Sequence, residues 1–269
     1  MVSVVDFVEV EAAGPDCFRP VSVSPLARRT LFGGALIAQG LRSAAATVDA
    51  DRYPQSLHAN FLRAGRSDRE LELRVARVRD GRAFATRQVT VAQGERVIMT
   101  MTASFHSDEP SPEYQAPAHS VPIPDETAAG LPGGPLGMDV VELSPATARE
   151  APHYLAWARA HDELPDDRVL HACVMAFLSD SGAPGVAADA IGVQAAGPDR
   201  ENGPGNMTTS LDHSMWFHRA GHVDDWVLVE GIALSTAGSR GLLMGSMHDG
   251  EGRRLTTFTQ ELLIRIGPG

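Results

Sequence analysis

Residues 56–65 read SLHANFLRAG, and residues 210–221 read SLDHSMWFHRAG, the same motif two residues longer. From the shared Ala-Gly onward the two stretches stay in register without a gap for about thirty residues. Gly65 aligns with Gly221 and Gly94 with Gly250, a constant offset of 156. Each block reads as strand, strand, turn, strand, with the turns at Gln93-Gly94-Glu95 and Asp249-Gly250-Glu251. A fixed offset over this length makes the chain one unit written twice.

Working outward, each block follows an apolar helix. The first is LFGGALIAQGLRSAAATV from Leu31; the second is DDRVLHACVMAFLSD from Asp166, with Pro165 and the aspartates forming its N-terminal cap. Both are apolar around most of their circumference, so both belong in an interior. A buried helix followed by an antiparallel sheet, repeated, predicts an α+β architecture of two fused hotdog domains, each sheet wrapped around a central helix. Between the copies, SDEPSPEYQAPAHSVPIPDETAAGLPGGPLGM is rich in Pro, Gly and Ser and lacks an apolar period. The expected division is an N-terminal domain over 1–106, a linker over 107–138 and a C-terminal domain over 139–269.

The bulk properties narrow the function. A chain of 269 residues exceeds ordinary single-domain length, and 43% hydrophobic residues supply a core. Cys17 and Cys173 lie far apart, which points to a reducing compartment and not to a disulfide scaffold. The N-terminus MVSVVDFVEVEAAGPD carries acids where a signal peptide has bases, and no apolar run reaches a membrane span; a soluble cytoplasmic protein is expected. Net charge is −11, and every basic residue is Arg. So acidic a surface disfavours nucleic acid, while local Arg clusters can still hold a phosphorylated small molecule through their planar fork.

Three polar residues stand where apolar ones are expected. Asp180 closes the apolar helix, either as an exposed helix end beside Gly182 or as a carboxylate held against the sheet where it can orient a water. In TTFTQELLIRI, period-two alternation groups Gln260 with Phe258, Leu262 and Ile264, so a carboxamide occupies a core-facing row, as a structural Gln or a functional one. Alternation puts Ser210 with Thr208, Asp212, Ser214 and Trp216 on the more polar row, so periodicity does not place it inside; a bulge or two-sided burial is required.

LPDDRVLHACVMAFLSD, SLDHSMWFHRAG and the terminal TFTQE, together with LFGG, HANFLRAG, RDGRAFATRQVTV and MTASF, resemble the acyl-CoA thioesterase II (TesB-like) family. The resemblance spans nearly the whole chain except the linker and the segment before Asn206; DHSMWFHR is its most specific part. It implies a double hotdog whose catalytic residues are an Asp on the second helix, a Thr or Ser two residues before the DHSMWFH aspartate, and a Gln near the C-terminus. These fall on Asp180, Ser210 and Gln260. The Gly-rich segment 194–206 is longer than usual for the family, as a solvated loop or a lid over an acyl channel.

That resemblance implies hydrolysis of fatty acyl-CoA to fatty acid and CoA. Asp180 would accept a proton from a water that Ser210 and Gln260 position, and no acyl-enzyme would form because Ser210 has no evident His partner. Gly33 and Gly34, at the first helix start, are candidate oxyanion donors, or glycines that permit close packing. Arg219 and Arg240 are candidates for the CoA phosphates, and His58 for ligand contact. No cofactor is implied, and a homo-oligomer, a dimer of double hotdogs, is expected.

His213, His218 and His222 have the wrong spacings for a shared strand face, HExxH is absent, and neither Cys has a zinc-spaced partner, so no metal is expected. GxSxG, GxGxxG and P-loop motifs are absent too. Two alternatives stay open. One is a hotdog enoyl-CoA hydratase or dehydratase, although His171 precedes Asp180, the reverse of the hydratase order. The other is a noncatalytic acyl-CoA binding protein.

Overall fold

The computed structural model describes residues 3–23, 29–125, 137–143, 153–192 and 207–267. A short helix α1 (Val5–Val8) and strands β1 (Val10–Gly14) and β2 (Cys17–Pro20) precede the first long helix, α2 (Gly33–Ala45). Then come β3 (Arg52–Phe61), β4 (Glu72–Asp80), β5 (Phe84–Gln93) and β6 (Arg96–Ser107). The second half repeats the scheme with β7 (Met138–Glu142), β8 (His153–Ala160) and α3 (Arg168–Ser179). It continues through α4 (Ala183–Asp189), β9 (Met207–Ser210), β10 (Asp212–Phe217), β11 (Val227–Ala237), β12 (Arg240–His248) and β13 (Arg254–Arg265).

All the strands join in one antiparallel sheet of order β1-β2-β4-β5-β6-β3-β10-β13-β12-β11-β8-β7, with β9 added on β13. Each half contributes six strands to this path, in mirrored order, and the halves meet where β3 pairs with β10. His58 lies opposite Ser214 in that pairing, two positions that differ by the repeat offset of 156. The pseudo-twofold axis therefore passes between them. The turn glycine Gly94 adopts φ +62°, as the hairpin demands of a residue without a side chain.

Both long helices lie on the same side of the sheet and pack on each other, so the halves share one core. Helix α2 buries Ala35, Leu36, Ile37, Ala38 and Leu41. Removing each larger apolar side chain from water stabilises the fold by about 1.5–3 kcal/mol. Its one buried amide, Gln39, donates from Nε2 to Phe7 O (2.9 Å) and Ser22 O (2.8 Å). Helix α3 starts at an N-cap Asp167 whose Oδ1 accepts from Val169 N–H (2.9 Å) and Leu170 N–H (3.2 Å), as the sequence predicted. The α2 residue Arg42 reaches that cap, donating to Asp167 Oδ2 at 2.8 Å. The arrangement is an α+β double hotdog. Residues 108–125 form no helix or strand.

Candidate active site

The N-terminus of α2 points at the C-terminus of α3, and Asp180 is the residue between them. Asp180 is the C-cap of α3 and is 5% exposed. Its Oδ2 accepts from Gly34 N–H at 2.8 Å, a partner 146 residues away in sequence. Its Oδ1 accepts from Gln260 Nε2 at 2.6 Å and from Ser210 Oγ–H at 3.4 Å. Gln260 Nε2 also donates to Ser210 Oγ, at 2.6 Å. The carboxylate, hydroxyl and carboxamide singled out in the sequence thus meet at one place.

The approach of the carboxylate to the helix end depends on the glycine pair. A Cβ on Gly33 would lie 2.7 Å from Asp180 Oδ2 and 3.1 Å from the Phe61 ring; one on Gly34 would lie 2.5 Å from Phe177 O. A side chain at either position would drive the helices apart and break the Gly34 bond. The glycines therefore serve close packing. The Gly34 N–H is engaged by Asp180, and Gly33 is the helix-end glycine beside the carboxylate.

Ser210 faces Asp180 because the strand slips. It lies opposite Leu262, while Ser214 lies opposite Thr259. Four steps on one strand thus match three on the other, which is a bulge centred on Leu211. Leu211 N–H donates to Glu261 O (2.8 Å), Leu211 O accepts from Phe61 N–H (2.9 Å), and Asp212 Oδ1 accepts from Glu261 N–H (3.0 Å). Beyond the bulge the parity inverts, so that His213 and Met215 face the core while Ser214 and Trp216 do not. Gln260 needs no such device. It is fully buried in the inward row with Phe258, Leu262 and Ile264.

Burial sets the electrostatics. It pushes the Asp180 carboxyl up from 3.8 to about 6, against the hydrogen bonds of Gln260, Gly34 and Ser210, which pull it down. A carboxylate poised there is ionised at neutral pH yet basic enough to take a proton.

The remaining candidates are not brought to this centre. His58 sits on the opposite face of the sheet, exposed, with Nδ1 3.0 Å from Ser214 Oγ and its ring edge-on to Trp216 at 5.4 Å. Its strand neighbours Leu57 and Ala59 take the inward positions. Arg219 lines a cleft with Arg168 and Ala172, at the start of α3. The twelve residues of α3 separate that end from Asp180 by about 18 Å. Its guanidinium is bound to Glu113 Oε2 (2.9 and 3.0 Å) and Arg254 O (2.9 Å). Arg240 is exposed and donates to Glu261 Oε1 at 2.9 Å, on the face away from Gln260. Strand parity turns His58 and Arg240 outward, and Arg219 belongs to the far helix end, so none of the three lies at the carboxylate. The segment 194–206 lies outside the described residues.

The histidines weighed for a metal do not converge. His213 is buried beside Ser179, and His218 Nε2 is 2.9 Å from Thr257 Oγ1. His222 instead joins His171 and Asp224, with one ligand-type atom from each within 4.8 Å of the others. Yet His171 Nδ1 accepts from Val223 N–H (3.2 Å), which leaves the ring hydrogen on Nε2. A metal-bound imidazole gives one nitrogen to the ion and donates from the other. His171 in this tautomer has no lone pair to give, so the cluster does not have the chemistry of a metal centre.

Two features of the site had only faint signals in sequence. Gly34 is visible as half of a Gly-Gly pair opening a helix, and His213 as a histidine next to the motif aspartate; neither pattern says which group it will face.

Comparison with known proteins agrees with the geometry. Residues 21–106 match the model of an acyl-CoA thioesterase N-terminal domain, and residues 117–264 that of an acyl-CoA thioesterase C-terminal domain. Acyl-coenzyme A thioesterase 8 of Mus musculus is 30% identical over 296 aligned positions, covering 99% of this chain and 90% of that protein. Acyl-CoA thioesterase 2 of Haemophilus influenzae is 29% identical, covering 88% of each. Among solved structures, the acyl-CoA thioesterase II TesB2 from Mycobacterium marinum superimposes with a TM-score of 0.79 at 31% identity, covering 99% of this chain and 98% of that one. Two catalogued halves in the right order, a full-length relative and a shared double hotdog lead to one conclusion: the chain belongs to the TesB-like acyl-CoA thioesterase II family of thioester hydrolases.

Proposed function

We propose that this thioesterase cleaves fatty acyl-CoA with a water activated directly by Asp180, through no acyl-enzyme. Asp180 takes a proton from the water as its oxygen bonds to the thioester carbon; collapse of the tetrahedral intermediate breaks the C–S bond and expels the CoA thiolate, which takes that proton back from Asp180 and restores the carboxylate. Fatty acid and CoA are the products. Ser210 and Gln260 hold the water in line, and the Gly33 N–H at the positive end of α2 faces the carbonyl oxygen as it gains charge.

The observation that carries this reading is the convergence on Asp180 of groups from α2, β9 and β13, around a buried carboxyl raised to about 6. Ser210 supports the same choice. Its oxygen is bound to an amide and a carboxylate, and among the described residues no imidazole is bonded to it, so it lacks the Ser–His pair of a usual serine nucleophile. The second half, 139–269, supplies Asp180, Ser210 and Gln260, and we take 107–138 as the connection between domains. We place the protein in the cytoplasm as a homodimer. Exposed Leu242, Met244 and Leu234 on neighbouring strands support pairing through the sheet, and no helix among the described residues is long and apolar enough to cross a membrane.

The test is an acid quench during steady-state turnover of palmitoyl-CoA, with intact-mass analysis and a thiol reagent for free CoA. Free CoA with no acylated protein is expected. An acyl adduct on Ser210 would overturn the direct-water route.

A further inference from the structure

His213 takes no part in the chemistry so far, yet it is fully buried within the site's framework. The register that sets Ser214 opposite Thr259 sets His213 opposite Gln260 on the neighbouring strand, and both side chains face inward. Among the described residues, two buried polar atoms there have no other partner, Gln260 Oε1 and His213 Nδ1. The other end of each group is engaged. Gln260 Nε2 serves Asp180 and Ser210, and His213 Nε2 lies 2.8 Å from Ser179 Oγ. The imidazole is clamped in its plane by a stacked Phe258, with centroids 5.9 Å apart and planes 13° apart.

Hydrogen accounting decides the tautomer. Ser179 Oγ lies 2.8 Å from both Ala176 O and His213 Nε2, and its single hydrogen can serve one of them. If it served Ala176, the imidazole hydrogen would sit on Nε2, and Nδ1 would turn a bare lone pair toward the Gln260 oxygen. Two buried acceptors facing each other are costly. If Ser179 donates to Nε2 instead, the ring hydrogen sits on Nδ1 and meets the Gln260 oxygen, and the cost moves to Ala176 O, which gives up its bond from Ser179 without facing another buried acceptor head-on.

We propose that His213, as its Nδ1–H tautomer, donates to Gln260 Oε1 and thereby fixes which way the Gln260 amide faces. This rests on the hydrolytic reading above. With Oε1 held by His213, both hydrogens of Nε2 are directed at Asp180 Oδ1 and Ser210 Oγ. Released, the amide can turn its oxygen toward Asp180, which disfavours the carboxylate and favours the protonated, inactive acid. Burial lowers the imidazole pKa to about 4, with Gln260 opposing, so the ring is neutral where the enzyme works. His213 is a positioning residue, acting on Asp180 and Ser210 through Gln260. Among the described residues, the polar groups acting on Asp180 are Gln260, Gly34 and Ser210, and no charged side chain is among them.

Three variants of the full-length enzyme separate the roles. His213→Asn keeps a donor where Nδ1 was, His213→Gln keeps a polar group where Nε2 was, and His213→Phe keeps only the ring. We expect kcat to fall about 10- to 100-fold in the Gln and Phe variants and by no more than a few fold in Asn. The acid limb of the kcat/KM profile should move to higher pH in Gln and Phe alone, with thermal stability read alongside. A purely structural His213 would give rate losses that follow the stability losses, with the acid limb unmoved in all three; that result overturns the proposal. A wild-type profile with no acid limb would instead overturn the role of Asp180, so the two failures are distinguishable.

Discussion

Replacing Asp180 with Asn removes a charge from the centre of the site while changing its size hardly at all, so the pH dependence of its effect on stability reports the electrostatics. In the folded protein the carboxyl is raised from 3.8 to about 6 by burial. A raised acid makes the native state bind its proton more tightly than the unfolded chain does. Its contribution is fully present below pH 3.8 and is lost as pH rises through about 6. At about 1.4 kcal/mol per pH unit, the ionised Asp180 costs the wild type about 3 kcal/mol at pH 8, and most of that appears between pH 4 and pH 8. Asn escapes this loss. It carries a separate penalty, because its NH2 must face either Gly34 N–H or Gln260 Nε2, two donors meeting at about 1–3 kcal/mol. That penalty varies little with pH and cancels in a difference. Urea unfolding of both proteins at pH 4 and pH 8 should show Asp180→Asn gaining about 2 kcal/mol on the wild type across that span, while hydrolysis falls by about 10²-fold or more. Parallel stability profiles would refute the reasoning, since a carboxyl in water would titrate alike folded and unfolded.

Two further outcomes follow from the same geometry. Because Asp180 must be ionised to take a proton, kcat/KM for acyl-CoA should climb with pH along a single-proton limb centred near 6 and then level off, as a thiol-release assay over pH 4.5–8.5 will show. Gln260→Leu removes the 2.6 Å bond to the carboxylate and should lower kcat about 10- to 100-fold, whereas Ser210→Ala removes a longer 3.4 Å contact and should cost about tenfold or less, with Ser210→Thr near wild type; steady-state kinetics rank them.

How much of the site could be read ahead varies by residue. Gln260 was legible because a regular strand obeys period two, and a carboxamide in an apolar row stands out. Ser210 was legible only by resemblance. One inserted residue at Leu211 inverts the parity of its strand, and bulges leave little mark on local sequence. Asp180 was visible as a helix-ending acid, but its burial depends on α2, whose Gly34 N–H arrives from 146 residues upstream. His58, Arg219 and Arg240 went the other way. They sit in the right motifs, yet strand parity and helix length carry them away from the carboxylate. The strands β1, β2, β7 and β8 also had no counterpart in the sequence reading, since all four lie outside the repeated block.

The sequence by itself determined the duplication, the two buried helices and the strands that follow them, because periodicity and a fixed offset are local or internal properties of the chain. It also determined which chemical types were available. Only the tertiary structure decided which of them meet. The sheet joins the halves through β3 and β10, one helix end is brought against the other, and a slip of one residue turns a hydroxyl inward. Such contacts are set by how backbones pack at a distance, and hydrogen bonds between groups far apart in the chain have no periodicity to announce them.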